Sequence, residues 1–227
     1  MAVHILLLQQ FPLLKALPTE ILDRLTGLAS TQNFAKREMV LQKGGIAKSL
    51  GLLVEGRLQG IDFTLDGREV GLYFIDPGDY FAELALIDGQ PQPEHIIASS
   101  ASQVLFLPNS AIRPLLFSAP PMAEAVCRRL AQRVRAQVIQ RQILGLTNPL
   151  QRVCAQLESL MQSQNSRIAK APTQQEIAIM VNLTRETVTR SFQVLLTKGV
   201  LTREGEDLLV DAAKLSEIAS KGPAGGD

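Results

Sequence analysis

The sequence predicts an α+β fold in which a small antiparallel β-barrel is followed by one long helix and a mainly helical C-terminal domain. Three observations predict it. Short apolar runs alternate with turn residues between residues 39 and 107. A stretch without Gly or Pro then runs from Met122 to Leu144, and helical periodicity resumes after Pro149. With 227 residues, the chain is long for one compact domain, so we expect two small ones.

The composition excludes several classes of protein. Hydrophobic residues make up 46% and charged residues 20%, a balance typical of globular proteins rather than disordered ones. Two cysteines cannot supply a four-thiolate iron–sulfur or zinc site or a disulfide framework, and they favour a reducing compartment. No apolar run approaches the ~18–20 residues that span a bilayer, and the first residues lack the basic leader and cleavage site of a signal peptide. We therefore expect a cytoplasmic protein with no membrane segment.

The net charge of +1 hides an uneven distribution. Residues 1–120 contain nine Lys and Arg against twelve Asp and Glu, whereas residues 121–203 contain twelve against four. Residues 204–227 contain two basic residues against six acidic ones. A basic segment is typical of proteins that bind polyanions, because neutralising phosphates releases counterions. A solvated helix face has the same composition, so charge alone does not distinguish the two.

The barrel strands are separated by recognisable turns. Residues 49–63 form two apolar runs broken at Glu55-Gly56, and Leu65-Asp66-Gly67 indicates a hairpin. A further strand over 68–75 precedes a turn at residues 76–79, and residues 95–107 supply two more strands. Short helices are predicted over 19–29 and 110–118.

The long helix that follows has one apolar stripe. Met122, Val126, Leu130, Val134 and Val138 recur at every fourth residue, and the helix would be roughly 35 Å long. Such a stripe on a helix longer than a small domain needs is typical of a dimer interface. The interface residues that we expect are Val126, Leu130, Val134, Val138 and Ile139. The alternative is a core helix packed against its own domain.

Two capped helices follow in the C-terminal domain. Thr173 is an N-cap candidate with Glu176 as its capping-box partner, and the helix ends at Asn182, which tolerates a left-handed conformation. Thr184 caps a second helix that closes at Gly199. The residues predicted to be buried between the helices are Ile177, Val181, Val188, Phe192 and Leu195.

A short hairpin completes the motif. Strands over Val200–Thr202 and Leu208–Val210, joined through residues 204–206, form a wing, so the whole is a winged helix-turn-helix. This motif presents the start of its second helix to base edges in the major groove. Arginine reads guanine and glutamate accepts from cytosine, while Glu186 and Arg190 could instead form only an i,i+4 ion pair. The candidate DNA-binding residues are Thr173, Gln174, Thr184, Arg185, Glu186, Thr187 and Arg190.

The sequence RETVTR at 185–190 resembles the recognition helix of the cyclic-AMP receptor protein and fumarate-nitrate regulator superfamily. The sequence DPGDYFAELALIDG at 76–89 resembles the phosphate-binding region of the cyclic-nucleotide-binding barrel, and the similarity covers almost the whole chain. The resemblance implies a homodimeric transcription regulator, not an enzyme, that binds a TGTGA-like palindrome. It implies a contact with RNA polymerase near Gln162–Ala171. The domains expected on this basis are an effector domain (1–118), a dimerisation helix (119–146), a winged helix-turn-helix (147–220) and a disordered tail (221–227).

The resemblance also places an effector pocket in the barrel, and this chain departs from the family pattern there. Ala82 replaces the family Gly before Glu83, and Gln92-Pro93-Glu94 stands where the family has Arg followed by Ser or Thr. An anionic cyclic phosphate would lose a bidentate pair and meet the charge of Glu94, so we do not expect cyclic AMP to bind in the family manner. The implied pocket residues are Gly78, Phe81, Ala82, Glu83, Leu84, Gln92, Pro93, Gln137 and Val138.

Other effectors remain open. His95 lies near the position of a haem ligand in some relatives, and Cys127 could form a redox bond with its twin, although a lone His is more often a plain surface or core residue and a free Cys a small buried hydrophobe. The remaining options are another small molecule or a barrel that has lost ligand control. A second class of function is an effector-binding module whose helix-turn-helix contacts proteins. An enzyme is not expected, because the sequence has no nucleophile elbow, Walker motif or metal-ligand spacing.

Overall fold

The computed structural model describes residues 4–67, 69–161 and 166–221. The chain forms two compact units, Met1–Gln132 and Arg133–Asp227. The boundary between them falls inside the long helix α5 (Pro120–Gly145), which therefore contributes residues to both units. Among the described residues, no helix is long and apolar enough to cross a membrane.

The first unit contains the predicted β-barrel. Its described strands form two four-stranded sheets with the orders β1-β8-β3-β6 and β2-β7-β4-β5, and the pairings are antiparallel. The strands are β1 (Ser30–Phe34), β2 (Met39–Leu41), β3 (Ser49–Glu55), β4 (Leu58–Phe63), β5 (Glu69–Ile75), β6 (Tyr80–Phe81), β7 (His95–Ala98) and β8 (Ser102–Pro108). The α+β class and the double-stranded barrel are confirmed.

Turn residues occupy the predicted positions. Gly56 joins β3 to β4 with φ +86°, and a Cβ there would lie 2.2 Å from the Ala101 carbonyl oxygen, so only glycine fits. The turn between β5 and β6 is closed by the Asp79 N–H, which donates to the Asp76 carbonyl at 3.0 Å.

Helices of the first unit cover one outer face of the barrel. They are α1 (Ile5–Gln9), α2 (Thr19–Leu28), α3 (Glu83–Asp88), α4 (Asn109–Ser118) and the first part of α5. Leu8, Phe11 and Leu105 are buried in the cluster beneath them, together with Met122 and Val126. A second cluster, which includes Leu58, Ile75, Phe81 and Ile96, fills the barrel interior.

The burial of α5 corrects part of the predicted dimer interface. Val126 is only 3% exposed within a single chain and belongs to the core of the first unit. Leu130 packs against the same cluster and is half-buried. Further along, Val134, Val138 and Ile139 are exposed, so the uncovered part of the stripe lies in the second half of the helix.

The second unit contains the helix-turn-helix and its wing. Its helices are α6 (Pro149–Leu160), α7 (Gln174–Met180), α8 (Arg185–Thr197) and α9 (Ala212–Lys221). Asn148 caps α6 and Pro149 occupies its first turn, so the predicted break is a helix start. The five residues predicted between the two motif helices (Ile177, Val181, Val188, Phe192 and Leu195) are all buried.

The wing has one strand more than predicted. Its sheet has the order β10-β11-β9, formed by β9 (Arg167–Ile168), β10 (Leu201–Glu204) and β11 (Asp207–Val210). The segment interpreted as a polar loop before Thr173 therefore contributes a short edge strand, because Ile168 pairs with Leu208 and is buried. Residues 162–165 of the predicted polymerase-contacting loop lie outside the described residues, as does the predicted tail beyond Lys221.

The two cysteines of the chain differ in environment. Cys127 is exposed, whereas Cys154 is buried in α6, and this burial, with a smaller effect from Glu158, raises the pKa of the Cys154 thiol to about 11. Because only the thiolate attacks a disulfide reagent, we expect DTNB at about pH 8 to modify Cys127 quickly and Cys154 only after unfolding. A Cys127→Ser variant should then show no fast thiol. Rapid modification of this variant in its native state would contradict the burial of Cys154.

Candidate nucleic-acid interface and barrel interior

The helix-turn-helix begins with two capped helices. The Thr173 hydroxyl accepts from the Glu176 N–H at 3.2 Å, and the Glu176 carboxylate accepts from the Thr173 N–H at 2.7 Å. This is the predicted capping box. Thr184 caps α8 by accepting from the Thr187 N–H at 3.3 Å, and Asn182 takes φ +50° in the turn between the helices. The local geometry that the sequence predicts for the motif is present.

The start of α8 presents charged side chains on an exposed face. Arg185, Glu186 and Arg190 are exposed, whereas Val188 and Phe192 on the opposite face are buried. The pKa of Glu186 lies below its ordinary value because its carboxylate accepts from its own backbone N–H and from the Thr184 hydroxyl, and because Arg185 and Arg190 are nearby. Glu186 is therefore ionised at neutral pH and can act as a hydrogen-bond acceptor.

Gln174, the first residue of α7, lies against this helix. The Thr189 hydroxyl donates to Gln174 Oε1 at 2.8 Å and to the Arg185 carbonyl at 2.9 Å. The structure thus brings the sequence-predicted residue Gln174 next to the turn of α8 that carries Arg185. The other predicted residues, Thr173, Thr184 and Thr187, take part in the caps at the two helix starts.

Two polar residues that the sequence analysis did not single out hold the motif in place. The Arg152 guanidinium donates to the Leu146 carbonyl at 2.6 and 3.0 Å and to the Val181 carbonyl at 3.1 Å. Gln140 donates to the Met180 carbonyl at 2.7 Å. These bonds satisfy carbonyl groups at the C-terminal ends of α5 and α7. No sequence pattern marks such contacts, because their partners are backbone atoms distant along the chain.

The wing is fixed by an ion pair. Arg167 donates through Nε to the Asp207 carboxylate at 2.8 Å, and the Lys170 N–H donates to the same carboxylate at 2.7 Å. The Lys170 bond, and then Arg167, hold the pKa of Asp207 below its ordinary value. Lys198 and Arg203 are exposed near the wing and add to the cationic surface of this unit.

Most of the predicted effector-pocket residues in the first unit are enclosed. Ala82 has φ +66°, a conformation that favours the glycine of the family pattern, and precedes Glu83, which is 1% exposed at the start of α3. Gly78 and Leu84 are half-buried, and Phe81 is buried. Pro93 is exposed. Gln137 and Val138 are exposed on the part of α5 that belongs to the second unit.

A hydrogen-bonded group of polar side chains lies inside the barrel. The Tyr73 hydroxyl donates to the Glu94 carboxylate, and Gln92 Nε2 donates to Glu94 Oε1 at 2.9 Å. Gln92 is 3% and Glu94 5% exposed. The ring of Tyr73 lies over Gly60, where a Cβ would come within 2.7 Å of it, so Gly60 provides the space that the ring fills. No local signal in the sequence marks Tyr73 as a member of this group, because its partner Glu94 lies twenty-one residues further along the chain.

His95 lies on the other face of β7. It alternates with Ile96, whose side chain is buried in the barrel interior, and its Nδ1 accepts from the Lys43 N–H at 3.3 Å. Its ring packs edge-on against Phe63 at 5.5 Å between centroids. This arrangement gives His95 a structural role at the barrel surface and does not favour haem ligation, which the sequence left open as an alternative. Among the described residues, no group of three or more His, Cys, Asp or Glu could hold a metal ion.

The turn before the pocket contacts α5. Arg129 forms an ion pair with Asp79 at 2.5 Å, and its guanidinium lies 5.0 Å from the centre of the Tyr80 ring. Asp79 and Tyr80 directly precede the pocket residues Phe81 and Ala82. A polar contact thus joins the turn before these residues to α5.

Comparison with known families supports both halves of the chain. Residues 31–119 match the cyclic nucleotide-binding domain, and residues 151–218 match the Crp-like helix-turn-helix domain. The combination of these two domains, in this order and around one long helix, decides the identification. The chain belongs to the cyclic-AMP receptor protein and fumarate-nitrate regulator superfamily.

Relatives of this superfamily member match over most of their length. It is 27% identical to a CRP-like cAMP-activated global transcriptional regulator of Mycobacterium tuberculosis, over 82% of this chain and 87% of the relative. It is 24% identical to the cyclic AMP receptor protein of Thermus thermophilus, over 92% and 96% of the two chains. The structure of FixK2 from Bradyrhizobium japonicum superposes with a TM-score of 0.71 at 21% identity, covering 83% of this chain and 96% of that one. This last similarity concerns the fold.

Membership of the superfamily makes the protein a DNA-binding transcription regulator and not an enzyme. The surface that suits this role is the exposed start of α8, where Arg185, Glu186 and Arg190 lie.

Proposed function

We propose that this regulator is a homodimer that binds a TGTGA-like palindrome and is not controlled by cyclic AMP in the manner of its family. The observation that carries the proposal is the exposed group of Arg185, Glu186 and Arg190 at the start of α8. Arginine donates two parallel hydrogen bonds to guanine O6 and N7, and an ionised glutamate accepts from cytosine N4. The three side chains therefore suit G·C pairs, which the TGTGA half-site contains.

An apolar surface on α5 supports the dimer. Val134 is 63%, Val138 54% and Ile139 44% exposed in a single chain. A second copy of the same helix would cover these side chains in a two-fold arrangement. Such symmetry matches a palindromic site, whose half-sites lie about one helical turn of DNA apart. We accordingly propose an effector domain over 1–118, a dimerisation helix over 119–146 and a DNA-binding domain over 147–220.

The barrel interior supports independence from cyclic AMP. The stretch where the family has its phosphate-binding Arg reads Gln92-Pro93-Glu94 in this chain, and Gln92 donates to the carboxylate of Glu94 at 2.9 Å. An anionic phosphate would lose its charge-assisted pair and meet a carboxylate at this point. The ring of Tyr73 over Gly60 also occupies space in the interior. We therefore do not expect cyclic AMP to bind here in the manner of the family.

Two further parts of the proposal follow from family analogy. We propose that the regulator acts on chromosomal DNA in the bacterial cytoplasm. The segment Gln162–Ala171, which precedes the helix-turn-helix, is the candidate contact with RNA polymerase. Of this segment, the structure describes residues 166–171, where Arg167 and Lys170 hold the wing through Asp207.

Fluorescence anisotropy of a labelled TGTGA–TCACA duplex tests the proposal. The nucleotide-free protein should bind the duplex, cyclic AMP should leave the affinity unchanged, and raising the salt concentration should weaken binding. A duplex with both half-sites scrambled is the matched control. Binding only in the presence of cyclic AMP would contradict the independence from the nucleotide, and equal binding to the scrambled duplex would contradict the half-site. Absence of salt-dependent binding would contradict the proposed site; it is the result expected if another effector is required or if the helix-turn-helix mainly contacts proteins.

A further inference from the structure

We propose that the groove between α2 and α4 is a binding site for a small apolar carboxylate of the medium-chain fatty-acid class. This inference goes beyond the proposed function, because the groove lies between two helices outside the barrel and shares no residue with the predicted effector pocket. Its volume is about 460 Å³. Sites for small molecules commonly enclose about 300–1,000 Å³, so the groove is large enough to hold one such ligand.

The floor of the groove is apolar and is held by the core. Ile21 and Leu25 lie one turn apart on α2, and the lining residues Ala111 and Leu115 do so on α4. All four belong to the hydrophobic cluster beneath the helices or pack against it. Leu28 extends the apolar surface outward and is 53% exposed. An alkyl chain in the groove would cover this surface, and its burial is favourable.

The charge of the groove favours an anion. Arg24 is its one charged lining residue, and this exposed guanidinium makes no hydrogen bond or ion pair with the described part of the chain. The Ser110 hydroxyl is a second donor on the lining. The acidic residues Glu20 and Asp23 lie on the same helix as Arg24 but do not line the groove. Because a guanidinium binds a carboxylate through two parallel hydrogen bonds, a ligand with an apolar body and one carboxylate matches both the floor and the charge.

Isothermal titration calorimetry of the full chain tests the site with octanoate, decanoate and octanol. Decanoate should bind about five- to fifteenfold more tightly than octanoate, because its longer chain buries two further CH₂ groups. Octanol keeps the alkyl chain of octanoate and lacks the charge. It should therefore bind about three- to fivefold more weakly than octanoate, the effect expected of an exposed ion pair.

Substitutions in the groove locate the site. Arg24→Gln should weaken octanoate binding about three- to fivefold and leave octanol binding unchanged. Lys15→Gln is the matched control, because Lys15 is an exposed cation of the same unit that does not line the groove. Ala111→Phe fills the groove and should abolish binding of all three ligands, and thermal melting checks that this variant is folded. Leu28→Glu, at an exposed position, should weaken octanoate binding more than octanol binding, because it adds a negative charge at the rim.

Several outcomes would contradict this site. No binding of decanoate, or binding of octanol as tight as that of octanoate, excludes an apolar carboxylate. Unchanged binding by Leu28→Glu or by a folded Ala111→Phe variant would place the ligand elsewhere, the barrel interior included. If Leu28→Glu associates less than the wild type in sedimentation equilibrium, a second copy of the chain covers the groove instead. These measurements involve no DNA, so failure of this proposal is distinguishable from failure of the proposed function.

Discussion

Replacing Arg185 with alanine is expected to weaken binding to the TGTGA–TCACA duplex by about 1–3 kcal/mol and to relax discrimination at one base pair of the half-site. Arg185 is exposed at the first position of α8, and its guanidinium makes no hydrogen bond with the described part of the chain. Truncation therefore leaves no buried group unsatisfied, and the loss reports on the contact with DNA. The loss of affinity should be largest on duplexes that keep the guanine contacted by the guanidinium, since the bidentate hydrogen-bonded pair is lost only there.

A set of duplexes, each with one base pair of the half-site exchanged, measures this effect at fixed salt. Lys198→Ala is the matched control, because it removes one exposed positive charge just beyond the C-terminal end of the same helix. The control should lose affinity about equally on all duplexes or not at all. If Arg185→Ala binds every duplex as the wild type does, Arg185 does not read the site.

The helix-turn-helix could be predicted from the sequence because its signals are local. The capping box joins residues three positions apart, and the left-handed Asn182 lies one residue before Leu183, whose N–H donates to the Ala178 carbonyl at 2.9 Å. Each signal depends on backbone groups within about one helical turn. The sequence of this segment therefore contains most of the information that determines its structure.

The barrel could be predicted only as a class. Strand β1, with the sequence STQNF, is mostly exposed and has no apolar alternation, so only its pairing with β8, more than sixty residues away, makes it a strand. The contact of Tyr73 with Glu94 likewise joins different parts of the chain. Packing across the two sheets decides which side chains fill the interior, and no local sequence pattern indicates which ones these are. The barrel interior was for this reason less predictable than the helix-turn-helix.

Introducing glutamate at Val138 is expected to dissociate the proposed dimer. Val138 is 54% exposed in a single chain and lies one turn from Val134 on the same face of α5. In a two-fold helix pair, the glutamate of one chain would be buried beside the same glutamate of the other chain, with no positive charge to pair with it. Such an arrangement costs about 3–5 kcal/mol, or a hundredfold or more in the dissociation constant of the dimer. Sedimentation equilibrium over a range of protein concentrations measures the shift from dimer to monomer.

Ala136→Glu provides the matched control, because Ala136 is exposed on the opposite face of the same helix and receives the same charge. This variant should remain as dimeric as the wild type. Each half-site alone offers about half of the contacts, so the Val138→Glu monomer should also bind the palindrome far more weakly. Circular dichroism should show that its helix-turn-helix remains folded. A Val138→Glu protein that remains dimeric would place the interface away from the exposed half of α5 and would require another origin for the two-fold symmetry of the site.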